Sequence, residues 1–284
     1  MKSVLFFAFS FFICFSGFSQ QCGYEFNGTD SYLVGDIGPA IRKIDDLSTV
    51  IVKFKMNSVP SGQGSSTILW RLSDANKQFS NAMAAGVLNW LDEPGEAQFF
   101  IVMYADWLVD HHLFENETEI ALKMFEARAI TTALIVGEWY TIKVGSNGIH
   151  PIIRINGKIQ KNAYYAQKLP GQWIHNFEKT IIDGFPQGVT RITLGAQKTT
   201  DVTNPRFIFD GIISKFKIRN VPVMACINKP GSNYLGNDDD QHPNIPKTVV
   251  AYDLSIPPDN GKILDSGIYA INLDVIGNGS NTCQ

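Results

Sequence analysis

Close pairs of cysteines are missing from this sequence. Its four cysteines stand at positions 14, 22, 226 and 283, and none forms the Cys-x-x-Cys spacing that zinc sites use, which excludes a zinc ribbon or finger. Long apolar runs are lacking as well. The longest, Val4 to Phe18, is interrupted by Ser10, Ser16 and Gly17 and is too short for a comfortable membrane span. Charge of one sign is absent too: 24 basic residues stand against 27 acidic ones, a formal net charge of −3. That balance gives no global signal for nucleic acid or an acidic membrane surface. Nor does any long stretch show a convincing 3.6-residue apolar period, which leaves little room for helix.

What is present begins with a leader. Lys2 supplies the positive start, Val4 to Phe18 the apolar core, and Ser19-Gln20 a small-residue exit, so residues 1–20 read as a signal peptide and stand outside the fold. The mature product is then secreted, extracellular or periplasmic, with no membrane insertion after signal removal. Ser19-Gln20-Gln21 before Cys22 does not suit lipidation. Loss of the leader removes Cys14 and leaves Cys22, Cys226 and Cys283, which predicts one disulfide bond and one free thiol.

Alternation of period two dominates the rest. Val50, Val52, Phe54 and Met56 share one face while Lys53 and Lys55 take the other; Phe216 and Ile218 oppose Lys215, Lys217 and Arg219. Such strands have one dry face and one wet face. Further strands are expected at Tyr24–Phe26, Tyr32–Val34, Thr67–Leu72, Gln98–Tyr104, Trp139–Val144, Ile152–Ile155, Arg191–Leu194 and Phe207–Phe209. Asn27-Gly28, Pro94-Gly95, Asn147-Gly148, Asn156-Gly157, Pro170-Gly171 and Asp210-Gly211 supply turns between them. The stretch 115–129 reads equally as helix or strand. Many short antiparallel strands with Gly-rich turns predict an all-β sandwich.

From about Pro222 the composition changes, with five prolines between 230 and 258 and the acidic run Asp238-Asp239-Asp240. Residues 222–284 therefore form a Pro/Asp-rich tail beyond a main unit at 21–221. Thr248–Leu254 and Ile268–Ile276 again look like strands, so the tail is expected to dock on the sandwich.

In order, Tyr24-Glu-Phe-Asn-Gly-Thr-Asp-Ser-Tyr-Leu-Val34, Ser48–Lys55, Ile68–Asp74, Gly137-Glu-Trp-Tyr-Thr-Ile-Lys-Val144, Ile153-Arg-Ile-Asn-Gly-Lys158, Ile192-Thr-Leu-Gly195 and Phe209-Asp-Gly-Ile-Ile213 resemble the concanavalin A-like lectin/glucanase superfamily, and within it laminin G-like domains. The end of the leader, Phe18-Ser19-Gln20, resembles those of Bacteroidetes bacteria. The likeness spans about 22–221 and implies an antiparallel jelly-roll β-sandwich. It also implies that Trp139 lies in the core. The insertion Ala75–Ala133 matches no part of the pattern, and ligand specificity is expected there. Val249–Leu254 with Gly261–Gly267 resembles the strand and Asp-x-x-Gly turn that normally precede the first motif; here they follow the last one, as if the chain were circularly permuted. First and last strands of this fold commonly lie side by side, so Cys22–Cys226, Cys22–Cys283 and Cys226–Cys283 are all open. Cys226–Cys283 is favoured because it would close the tail loop.

This architecture carries many functions, so chemistry must come from residues. Glu115-Asn-Glu-Thr-Glu119 is similar to the Glu-x-Asp-x-Glu strand of laminarinase-type glucanases, but the intervening Asn116 and Thr118 are polar where that strand turns inward, and the middle Asp is missing. A solvated acidic turn suits it better. Tyr104, His111, His112 and Arg128 are the residue types of a polysaccharide lyase without its spacing, and read as ordinary surface positions. With no complete catalytic set, the sequence favours a non-catalytic carbohydrate-binding or adhesion module. Its partner would be a glycan or surface polysaccharide; a polysaccharide-degrading enzyme and a module binding a surface protein are the alternatives. The ring faces of Trp70, Trp90 and Trp107, with Asp92 and Asp106 beside them, are the candidate sugar contacts. Many relatives in the resembled superfamily hold a calcium ion by an Asp near the last strand and oxygens near the first, which implies calcium at Asp210 and Asp30.

Overall fold

The computed structural model describes residues 21–36, 49–73, 82–89, 93–104, 126–146, 151–160, 164–169, 172–175, 190–197, 206–219, 248–268 and 270–284. Every regular element among them is a strand. In chain order these are β1 (Cys22–Asn27), β2 (Tyr32–Asp36), β3 (Thr49–Met56), β4 (Ser66–Ser73), β5 (Ala82–Leu88), β6 (Glu96–Tyr104), β7 (Glu126–Ile135), β8 (Trp139–Ser146) and β9 (Pro151–Ile155). They continue as β10 (Lys158–Ile159), β11 (Tyr164–Leu169), β12 (Gln172–His175), β13 (Arg191–Leu194), β14 (Asp210–Arg219), β15 (Thr248–Asp253), β16 (Lys262–Ile263), β17 (Leu273–Ile276) and β18 (Ser280–Cys283).

Two antiparallel sheets form a sandwich. The first runs β10-β9-β8-β3-β14-β1-β18, with β15 also on β14; the second runs β12-β11-β7-β6-β5-β4-β13-β2-β17-β16. Alternation in β3 and β14 sends Val50, Val52, Phe54, Ile213, Phe216 and Ile218 inward, where they meet Leu69, Trp70, Leu72 and Phe99 of the facing sheet. Aromatic rings thread the layer between them: Trp70 lies 6.2 Å from Phe216, Phe54 6.0 Å from Phe209, and Phe209 6.2 Å from Phe26. The hairpin turn at Asn156-Gly157 has both residues at positive φ, 47° and 80°, as its Asn-Gly sequence predicts.

The tail adds its strand as expected. Along one edge of β14, β1 pairs with Asp210–Ile213 and β15 takes over at Lys215–Arg219, on either side of an irregularity near Ser214. Tyr252 of β15 stacks on Phe216 at 6.2 Å and donates its hydroxyl to the Ile271 carbonyl at 2.8 Å. Burial raises its phenol pKa well above 10.0. Asp265 ties the tail's turn together by accepting from the N–H groups of Ala251 (2.7 Å), Gly267 (2.7 Å) and Ile271 (2.9 Å). Beyond that turn, β17 pairs with β2 in the second sheet and β18 with β1 in the first.

Several expectations need correction. The disulfide is Cys22–Cys283, not Cys226–Cys283: the two cysteines are directly opposed in the β1–β18 ladder, and Cys226 lies outside the described residues. Trp139 is not core. Its register partner is the outward Lys55, so the ring lies half-buried on the outer face of the first sheet, with the ammonium groups of Lys53 and Lys55 5.6 and 5.7 Å from its centroid. Phe207–Phe209 forms no strand, only an isolated bridge of Ile208 to Ile68 beside one of Arg206 to Gln197, and the Ile268–Ile276 segment is strand only from Leu273. The ambiguous stretch ends in strand at β7; residues 115–125 lie outside the described residues.

The Cys22–Cys283 bond joins residues 261 apart in sequence. A link of this kind restricts the unfolded chain by about 2–4 kcal/mol. Cys22→Ser/Cys283→Ser should therefore melt about 4–16 °C lower than the parent, and added reductant should reproduce the loss in the parent alone. A melting temperature indifferent to both would show that the ladder closes the chain unaided.

Candidate functional site

One end of the sandwich gathers exposed polar side chains from distant parts of the chain. The turn after β1 is held by Asn27, whose Oδ1 accepts from the N–H groups of Thr29 (3.0 Å), Asp30 (3.0 Å) and Ser31 (3.2 Å). Asn27 is the register partner of Asp210 at the start of β14. Asp210 accepts from Ser58 Oγ at 2.5 Å, and its carbonyl accepts from the Asn57 N–H at 3.1 Å; Asn57 Nδ2 in turn donates to Glu25 at 2.9 Å. The tail closes the ring, for Asn278 donates to Asp30 through its backbone N–H (3.3 Å) and through Nδ2 (2.7 Å). Gly277 makes that approach possible, since a Cβ there would sit 2.3 Å from the Asp30 carbonyl oxygen.

The electrostatics follow from these bonds. The Asn27 side-chain amide, then the Asn278 N–H, hold the Asp30 carboxyl below its ordinary value of 3.8. Burial, with the Asp30 charge second, pushes the Tyr24 phenol above 10.0.

Phe207 stands three residues before Asp210, within about 10 Å along even a fully extended backbone. Its φ is 56°, a region that costs a bulky residue strain, and the residue is 47% exposed. The neighbouring backbone fixes it there: the Phe207 carbonyl accepts from the Ile68 N–H at 2.8 Å, and Arg206 and Gln197 exchange two backbone bonds.

Of the residues expected from sequence to touch sugar, only Trp70 falls among the described residues. Trp70 is fully buried between the sheets, because β4 turns Trp70 and Leu72 inward and Arg71 and Ser73 outward; its ring faces no ligand. Trp90, Asp92, Asp106 and Trp107 lie outside the described residues. The chain departs toward Trp90 and Asp92 from Asn89, which is tied to this same rim by bonds to the backbone of Pro60, Gly64 and Ser65. It departs toward Asp106 and Trp107 after Tyr104, which pairs with Ala82 at the other end of β5. At about 3.3 Å per residue these exits lie roughly 20 Å apart. Glu115, Glu119, His111 and His112 also fall outside the described residues; Arg128 is placed in β7 opposite Val102.

Asp30 and Asp210 do share the rim. Both carboxylates are already hydrogen-bonded, and the described residues hold no group of three or more acidic, histidine or cysteine side chains placed for a metal ion. Two carboxylates alone fall short of the six to eight oxygens calcium prefers, so as they stand these residues form a clamp between turns. Phe207 carries no sequence signal, since a positive φ usually falls on Gly or Asn.

No protein-family model matches the chain, and no curated protein sequence does. Among solved structures it is similar to a candidate carbohydrate-binding protein from Bacteroides ovatus, at TM-score 0.52 and 12% identity over 93% of this chain and 60% of that one. It is also similar to a heptameric SAP-like pentraxin from Limulus polyphemus (TM-score 0.44, 12% identity, 72% of this chain and 77% of that one). A third is the LG1-3 region of the laminin α2 chain (TM-score 0.39, 14% identity, 70% and 31%). This chain spans 60% of the length of the Bacteroides protein. At such identities the likeness concerns fold: a two-sheet antiparallel jelly-roll sandwich.

Because Asp30 ionises more readily when folded than unfolded, the unfolded chain takes up its proton first as pH falls. Its contribution is present above pH 3.8 and is lost as pH drops through the folded value. Melting curves from about pH 5 down to about pH 2 should show a steeper acid limb for the parent than for Asp30→Asn; parallel limbs would remove Asp30 from the clamp.

Proposed function

We propose that this chain is an exported, non-catalytic carbohydrate-binding module that holds a glycan at the rim formed by Asn27, Asp30, Asn57, Ser58, Asp210 and Phe207. Phe207 carries the reading. A strained, half-exposed aromatic residue three positions before Asp210 would offer a sugar face a stacking platform, and the rim's amides, carboxylates and hydroxyl would supply donors and acceptors for its hydroxyls. The known neighbours bear on this through fold alone; one of them is named for carbohydrate binding.

Phe207→Gly separates the two roles the ring could have. Glycine occupies a φ of 56° without a Cβ clash, so this variant should be at least as stable as the parent, by about 1 kcal/mol if the strain is released. The same variant should lose glycan affinity about fivefold or more, the equivalent of about 1 kcal/mol of stacking. A glycan array followed by calorimetry on the best hit reads the second effect, and thermal melting the first. Unchanged affinity in Phe207→Gly, or release of reducing ends or unsaturated uronates by the purified protein, would contradict the proposal. Calcium at Asp30 and Asp210 is a separate proposal, which would require Ser58 and Asn278 to yield their hydrogen bonds. Calcium at 100 times its dissociation constant should then add about 2.7 kcal/mol to stability after chelation, and an unchanged melting temperature removes the ion without touching the rim.

A further inference from the structure

The strand that closes the chain on itself is the least buried part of the tail. β15 and β17 place Val249, Val250, Tyr252 and Leu273 in the core, whereas no residue from Ile276 to Gln284 is buried. Apolar burial therefore fastens β15 and β17 and does little for β18. What holds β18 is polar and covalent. It has the β1 ladder from Cys22–Cys283 to Glu25–Ser280 and the paired backbone bonds of Gln21 and Gln284. Asn281 Nδ2 donates to the Leu254 carbonyl at 2.9 Å, and Asn278 donates twice to Asp30. Bonds of this kind replace bonds to water and gain little against the entropy of ordering the segment.

The seam between β18 and β1 is also incompletely satisfied. Tyr24 is 1% exposed, and its hydroxyl, so close to Gly279 that a Cβ there would lie 2.5 Å away, has no protein partner. The same holds for the buried Oδ1 of Asn281, the register partner of Tyr24, and for the buried Oε1 of Gln21. A buried polar atom left unpaired costs stability that returns once water reaches it. These atoms favour opening of the seam, and the covalent bond opposes it. That bond is reachable, for Cys283 is exposed and Cys22 half-buried. It fastens one end of β18, and the clamp of Asn278 on Asp30 lies just before the other, so loosening that starts at Cys283 runs along the strand to the rim.

We propose that the Cys22–Cys283 bond is a redox latch on the rim: reduction by a dithiol frees β18 from β1 and withdraws Asn278 from Asp30, while the two sheets stay folded. A thiolate of the dithiol attacks the exposed Cys283 sulfur, and the Cys22 thiolate leaves and takes up a proton. The second thiol of the reagent then displaces Cys283, so the protein gains two electrons and two protons as a pair of thiols and the reagent becomes its own disulfide. The sheets persist because the core side chains of β15 and β17 are untouched. The consequence for glycan rests on the rim reading above; the opening of the seam does not.

The test uses the full chain carrying Cys14→Ser and Cys226→Ser, so that no other thiol joins the exchange, compared oxidised and after dithiothreitol below the melting transition. Hydrogen exchange in peptides covering 277–284 should quicken about tenfold or more on reduction, while β3 and β14 stay protected. Tyr24→Phe removes one unpartnered atom and should slow that exchange severalfold in the reduced protein. The difference in acid limb between the parent and Asp30→Asn should narrow on reduction without vanishing, since Asn27 still holds the carboxyl. Affinity for the best array glycan should fall about fivefold and return when glutathione disulfide restores the bond. Unchanged exchange of 277–284 after complete reduction, or exchange that rises equally in β3 and β14, would overturn the latch. If no glycan binds the oxidised protein, the rim reading fails, and the exchange and acid-limb results still decide the latch. Equal glycan affinity of both forms while the segment opens would overturn its coupling to the rim.

Discussion

The fold depends on the return of the C-terminal segment to the N-terminal strands. Gln21 and Gln284 exchange two backbone hydrogen bonds at 3.0 Å, Cys22 is bonded to Cys283, and β18 runs along β1 from that point. The same segment contributes β15 to the first sheet and β17 to the second, so it ties the two layers together at several places. Val249, Val250, Tyr252, Leu254, Ile263 and Leu273 are all inside the core. At about 1.5–3 kcal/mol for each large apolar side chain, their burial is worth on the order of 10 kcal/mol, the size of a whole domain's net stability. Among the described residues of 21–219 nothing replaces them: without them the far half of β14 would present an open edge and Phe216 would lose its stacked partner.

The rim inherits its shape from that closure. Asp30 is held by Asn278 of the tail, and Gly277 exists there because a side chain would strike the Asp30 carbonyl. Charge separates along the same scaffold: Glu25 and Asp210 stand at the rim, while lysine and arginine fill the outer rows farther along β3, β8 and β14.

Much of the sandwich was legible in the sequence, and the residues show why. β3 and β14 alternate cleanly, with lysines opposite valine, phenylalanine and isoleucine, and such half-buried strands announce themselves. β5 does not: Ala82-Met-Ala-Ala-Gly-Val-Leu88 has no polar residue, so period two leaves no trace. The resemblance puts Trp139 in the core, and only its register opposite Lys55 shows it outside. Cysteine connectivity is a property of the β1–β18 ladder, and spacing alone left three choices open. The rim was half legible. Asp30 and Asp210 were singled out only through the resemblance, as an Asp near the last strand and oxygens near the first, while Ser58 and Asn278 reach the rim only through the fold, and the strain at Phe207 has no signature in its type.

The most direct test of the closure is thermal and chemical unfolding of a chain ending at Val221, beside the full chain. Loss of β15 to β18 should leave a fragment that is insoluble or lacks a cooperative transition. A soluble fragment that unfolds cooperatively at the parent's midpoint would contradict the claim that the C-terminal segment is an integral part of the sandwich.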